Sequence, residues 1–179
     1  MNLTKFKYAF DNKRYHTWNY YLRNTFGEKV FKVSINAGFT CPNIDGKVAL
    51  KGAYILKDSK NETPDVILMA SGSEVELIMG AADELAKKGV DARVVSMPSF
   101  ELFEAQSDEY KESVLPKAVR NRVAVEAAST FGWHKYVGLD GEVIGLDHFG
   151  ASAPAGTLFK EFGFTVENVV ETALKVVGK

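Results

Sequence analysis

The run Val66-Ile67-Leu68-Met69-Ala70 is apolar at every position, and the helix-like stretch SGSEVELIMGAADELAKKG follows it directly. A strand without a polar face must be covered on both sides, which only a sheet sandwiched between helices provides. The alternation then repeats. Ala92–Met97 reads as a second strand, NRVAVEAA (121–128) as a third and Val143–Leu146 as a fourth, while Tyr54-Ile55-Leu56 is a candidate edge strand. A short helix, PSFELFEAQ, begins at Pro98, and a polar loop leads from it to the third strand. Strands alternating with helices predict an α/β fold: a three-layer sandwich with a mostly parallel sheet of about five strands.

The helices carry local signals. Ser73 as N-cap with Glu76 three residues later predicts a capping box. Val75, Ile78, Met79, Ala82 and Leu85 form an inward stripe, Lys87 and Lys88 suit the negative helix end, and Gly89 supplies a left-handed stop. In the closing stretch FTVENVVETALKVVGK, Thr165 is the cap, and Val166, Val169, Val170, Ala173, Leu174 and Val177 share one face. Burying such side chains is worth roughly 1.5–3 kcal/mol each before entropy, so this helix docks on the sheet.

Composition changes near residue 50. Residues 1–50 hold eight Lys/Arg against three Asp/Glu, whereas residues 51–179 hold fourteen against twenty. Ten of the 21 aromatic residues also fall in the first fifty. The shift places a boundary there and predicts a helix-strand extension, not an independent domain, ahead of a domain at 51–179. Trp18, Tyr21, Leu22 and Phe26 recur at helical spacing, a strand is expected at 29–35, and a turn-rich loop then presents Cys41. This single cysteine excludes an internal disulfide and points to a reducing cytoplasm. No run approaches membrane-spanning length, and the N-terminus lacks a signal peptide's apolar core.

Motifs for chemistry are sparse. The turn Ser71-Gly72-Ser73 joins a buried strand to a helix N-terminus, where free N–H groups and the helix dipole can hold a phosphate or carboxylate. It lacks a dinucleotide fingerprint and a P-loop lysine, so plain capping stands beside a small anion- or nucleotide-binding role. His16, His134 and His148 have no metal-ligand spacing, and Ser71, Ser73 and Ser152 sit in no nucleophile elbow. The basic aromatic start KFKYAFDNKRYHTWNYYLR has the residue types for stacking on single-stranded nucleic acid, but an amphipathic helix packed on its own domain accounts for them better. No nucleic-acid or membrane partner is expected. Gly150–Pro154 makes a bend before a helix, and Trp133 and Tyr136 are amphipathic anchors, features of packing or assembly. No catalytic acid–base pair can be assembled.

Three stretches, ASGSEVELIMGAADELAKKGVDARVVSMPSFELFEAQSDEYKESVLP, RVAVEAASTFGWHKYVGLDGEVIGLDHFGASAP and LFKEFGFTVENVV, closely resemble the C-terminal domain of transketolases, and KGAYIL resembles the segment entering it. This resemblance runs from about Lys51 to Lys179. The first segment, KRYHTWNYYLRNTFGEKVFKVSINAGFTCPNIDG, resembles instead the start of a family of uncharacterised bacterial radical S-adenosylmethionine proteins. In that family the cysteine of C-P-N-x-D-G is the first of three ligands to a [4Fe–4S] cluster. The other two follow as C-x-x-C, which is missing here. Cys41 thus resembles a cluster ligand whose partners were lost at a seam.

The transketolase resemblance implies two-carbon ketol transfer between sugar phosphates in the pentose phosphate pathway, with thiamine diphosphate and a divalent metal. It also implies that the catalytic and cofactor-binding residues belong to other domains, so none is assigned here, and no cofactor is expected for this chain alone. The expected role is structural, in a homodimer or with the missing transketolase domains. Alternatives are a complementing subunit of a split transketolase, a small anion-binding module and, for residues 1–48, a radical enzyme lacking its thiolates.

Overall fold

The computed structural model describes residues 49–178. The expected helix carrying Trp18, Tyr21, Leu22 and Phe26, the strand at 29–35, His16 and the Cys41 loop all lie outside the described residues.

A 3-10 turn at Ala49–Lys51 leads into β1 (Tyr54–Lys57), followed by β2 (Val66–Ala70), α1 (Glu74–Lys87) and β3 (Ala92–Ser96). Next come α2 (Phe100–Glu104), α3 (Asp108–Val114), β4 (Arg122–Val125), a 3-10 turn at Thr130–Gly132, α4 (His134–Val137) and β5 (Glu142–Ile144). Helices α5 (Ala155–Glu161) and α6 (Val166–Val177) close the described chain. The five strands form one sheet in the order β1-β3-β2-β4-β5, with β1 antiparallel to β3 and the other neighbours parallel. This is the mostly parallel sheet predicted from the alternation.

Both faces are covered, as the all-apolar strands require. On one face Val66, Leu68, Val94 and Val123 pack with Ile78 and Leu85 of α1 and Val169 and Ala173 of α6. On the other, Ile67, Met69, Val95 and Ala124 meet Phe103, Val114, Trp133 and Tyr136 from α2, α3, α4 and the turn before α4. Alternate residues of each strand therefore feed two separate cores.

Local expectations fare unevenly. Thr165 accepts a hydrogen bond from Asn168 N at 3.2 Å, and Gly89 has φ +73, as predicted for cap and stop. The capping box at Ser73 does not form. Its backbone is already α-helical (φ −70, ψ −26), while side-chain capping needs extended geometry, and its hydroxyl turns to Glu74 Oε2 instead. The segment expected as a polar loop after α2 contains α3, whose N-cap Ser107 accepts from Tyr110 N at 3.3 Å. Of the packing and assembly roles open to Trp133 and Tyr136, the structure shows packing. The two side chains are 3 % and 5 % exposed, with Phe100 edge-on to Trp133 at 5.0 Å and stacked on Tyr136 at 4.9 Å.

Candidate functional site

Strand register fixes where chemistry would be placed. Tyr54, Ser96, Ala70, Val125 and Ile144 lie in one row across the sheet, at the carboxyl ends of the parallel strands. Beyond this row β2 continues into α1 on one face, while β4 continues toward α4 on the other. The connections diverge between β2 and β4, which makes that crevice the topological switch point where open α/β sheets hold ligands.

Ser71 follows β2 and Glu126 follows β4, so they face each other over this crevice. The Ser71 hydroxyl donates to Glu126 Oε2 at 2.6 Å, and the Glu126 N–H donates to the Ile144 carbonyl at 3.0 Å. Glu74, 4 % exposed at the start of α1, accepts from the Ser73 hydroxyl at 3.2 Å. Burial pushes the Glu126 carboxyl above the usual carboxylate range; the Ser71 bond opposes this, and the nearby Glu74 charge reinforces it. Gly72, at φ +55, takes the left-handed conformation that lets the chain turn from strand to helix.

The crevice is thus bridged by a hydroxyl–carboxylate bond and flanked by a second carboxylate. An anion arriving at Ser71-Gly72-Ser73 meets these two acidic groups beside the N–H donors of α1. Such a donor set does not suit the diphosphate of thiamine diphosphate. Among the described residues no group of three or more His, Cys, Asp and Glu side chains is arranged to hold the accompanying divalent metal.

The other residues singled out by sequence stay apart. His134 opens α4, exposed to solvent. His148 is exposed, its Nδ1 2.9 Å from the Phe149 carbonyl and its ring edge-on to Phe162 at 5.3 Å. Ser152 is exposed in the loop before α5. Among the described residues no imidazole bonds to a serine hydroxyl, so no serine–histidine pair is formed. Sequence reasoning missed Glu126 and Glu74, the two groups that set the character of the turn. A charged residue directly after the apolar run Val123-Ala124-Val125 is the signal that marks Glu126.

The family model for the transketolase-like TK C-terminal domain matches residues 52–165. The transketolase of Bacillus subtilis is 57% identical over 129 residues, covering 72% of this chain but 19% of that protein. A chloroplastic transketolase of Zea mays is 58% identical over 124 residues, covering 69% and 18%. Among solved structures, transketolase from Leishmania mexicana superposes with a TM-score of 0.66 at 45% identity, covering 73% of this chain and 18% of that one. The fold recurs at 20% identity and a TM-score of 0.54 in a structure described as a split gene transketolase, inactive beta4 tetramer. The chain thus spans about a fifth of the length of the curated relatives it matches.

Proposed function

Because the chain belongs to the transketolase-like C-terminal domain family, we propose that residues 51–179 serve as the structural C-terminal domain of a transketolase-type enzyme and carry none of its chemistry. One observation carries this reading: the switch-point crevice is bridged by the Ser71–Glu126 bond. Full-length transketolases work with thiamine diphosphate and a divalent metal, and the two acidic groups at this crevice disfavour that cofactor's diphosphate. The chemistry then rests with domains that the longer relatives carry outside the matched segment. The work of this chain is to hold its own fold and present a surface to those domains. Ketol transfer between sugar phosphates is accordingly an activity of the assembled enzyme.

Exchanging the matching C-terminal segment of the Bacillus subtilis transketolase for residues 51–179 tests the reading. The exchange is expected to yield an assembled enzyme that retains ketol transfer. A chimera that neither assembles nor transfers ketol groups contradicts it.

For residues 1–48 we propose a separate origin, supported by the run Cys41-Pro42-Asn43-Ile44-Asp45-Gly46, which resembles the opening of a radical S-adenosylmethionine protein. One thiolate cannot complete a cluster site, so anaerobic iron–sulfide reconstitution is expected to leave the chain colourless. A stable brown, sulfide-containing monomer contradicts that.

A further inference from the structure

Gly80 stands in the middle of α1, where glycine weakens a helix relative to alanine. Packing accounts for it: a Cβ there would lie 3.2 Å from Cγ2 of Val166 on α6. Beside this close approach the two helices leave a groove of about 630 Å³ between them. Val166, Val170 and Leu174 are its apolar lining, spaced four residues apart and spanning about 12 Å along α6. All three pack on the core below, but Val166 and Leu174 stay half-buried, open to the groove.

The charged residues along the rim are not equivalent. Lys87 donates to Glu84 at 2.6 Å, and Lys175 donates to Glu142 at 2.9 Å. Lys88 is the C-cap of α1, where the partial negative charge of the helix end offsets its ammonium. Glu167 and Glu171 make no side-chain hydrogen bond or ion pair among the described residues. They stand four residues apart on α6, a like-charge spacing that weakens a helix. Glu167 has some compensation in the first turn, near the positive helix end, but Glu171 lies beyond it. Lys175, four residues after Glu171 and well spaced to pair with it, is held by Glu142 instead.

We infer that the groove between α1 and α6 binds a basic amphipathic helix of another protein. The apolar stripe of that helix sits on Val166, Val170 and Leu174, and its Lys or Arg side chains pair with Glu167 and Glu171. Charge complementarity selects this occupant. An apolar floor beside two unpaired carboxylates fits a segment that is apolar along one stripe and cationic along its flank, the pattern of helix-in-groove recognition. An acidic segment would crowd the two carboxylates further, and a wholly apolar one would desolvate them without a partner. The groove lies between helices and takes in neither Ser71 nor Glu126, so the inference goes beyond the structural-domain reading and does not depend on it.

The test titrates a fourteen-residue helical peptide, leucine along one stripe and lysine elsewhere, into the nitrogen-15-labelled full-length chain. Saturable amide shifts confined to α1 and α6 are expected. Glu167→Gln with Glu171→Gln removes both charges with little change of shape and is expected to weaken binding about tenfold. Both positions are exposed, so the variant should keep the native spectrum elsewhere. The same peptide with glutamate in place of lysine is expected not to bind. The proposal is overturned by no saturable shift at millimolar peptide, by shifts that map away from the groove, or by equal affinity in the double variant. Equal binding of the glutamate peptide overturns it as well. Saturable shifts at the same residues from hexylamine, with none from the peptide, assign the groove to a small amphiphilic cation and overturn the helical occupant. No transketolase domain is added, so these outcomes and those of the chimera are separate.

Discussion

The Ser71 hydroxyl donates to Glu126 Oε2 at 2.6 Å, tying the end of β2 to the end of β4 where the connections on either side diverge. Ser71→Ala removes the interaction that opposes burial, so the Glu126 carboxyl should titrate still higher than it does in the native chain. A hydrogen bond to a charged group is worth about 1.5 kcal/mol or more, and the variant should lose stability of that order at neutral pH. A carboxyl raised in the folded state favours folding fully below its unfolded pKa, and that contribution is lost as pH rises through the folded pKa. NMR titration of the Glu126 side-chain carbon checks the direction; a downward shift in Ser71→Ala contradicts it.

Tyr136 predicts the alkaline limb. Its hydroxyl donates to Glu104 Oε1 at 2.9 Å, and burial, with the Glu104 bond and charge behind it, pushes the phenol above its ordinary range. The neutral phenol is favoured in the folded state, so its contribution is complete below about pH 10 and is lost as pH rises beyond it. Tyr136→Phe should cost about 1 kcal/mol near neutrality and flatten the fall in stability above pH 10. Urea melts at several alkaline pH values measure this, and parallel curves for both proteins would refute it.

Gly52 is irreplaceable on two counts. It adopts φ +81, and an added Cβ would lie 2.2 Å from Phe103 N and 2.4 Å from the Ser99 carbonyl oxygen. Backbone cannot retreat as a side-chain tip can, so Gly52→Ala should cost about 3 kcal/mol or more. Gly89→Ala, also at positive φ but with open space around the new carbon, should cost clearly less. Equal losses by thermal denaturation would contradict the close-approach argument.

Neighbouring aromatics should behave oppositely. Trp133→Ala removes a side chain only 3 % exposed from the core formed with Phe100 and should cost about 3–5 kcal/mol. Phe131→Ala, at 90 % exposure two residues away, should change the stability of the isolated chain by less than about 0.5 kcal/mol. Denaturant melts of both variants decide the matter, and similar losses would mean that Phe131 is covered within the chain.

The all-apolar run Val66–Ala70 is legible in sequence because only a doubly covered strand has that pattern, and Thr165 because a cap needs nothing beyond its own helix. Helix α3 was hidden because DEYKESV offers only Tyr110 and Val114 as an apolar face, too little for periodicity to register. Trp133 reads in sequence as packing or assembly because an aromatic with a polar tip fits either a core or an interface, and its place beside Phe100 decides for packing. Glu126 became part of the candidate site because β4 lies next to β2, a neighbour relation that no local signal around either residue encodes.

The chain belongs to the transketolase-like C-terminal domain family, and we propose that its own residues do no ketol chemistry. Calorimetric titration of the purified full-length chain with thiamine diphosphate and magnesium tests it most directly, paired with a ketol-transfer assay on the same sample. Neither stoichiometric binding nor transfer is expected. Binding of one thiamine diphosphate per chain, or turnover by the chain alone, would contradict it.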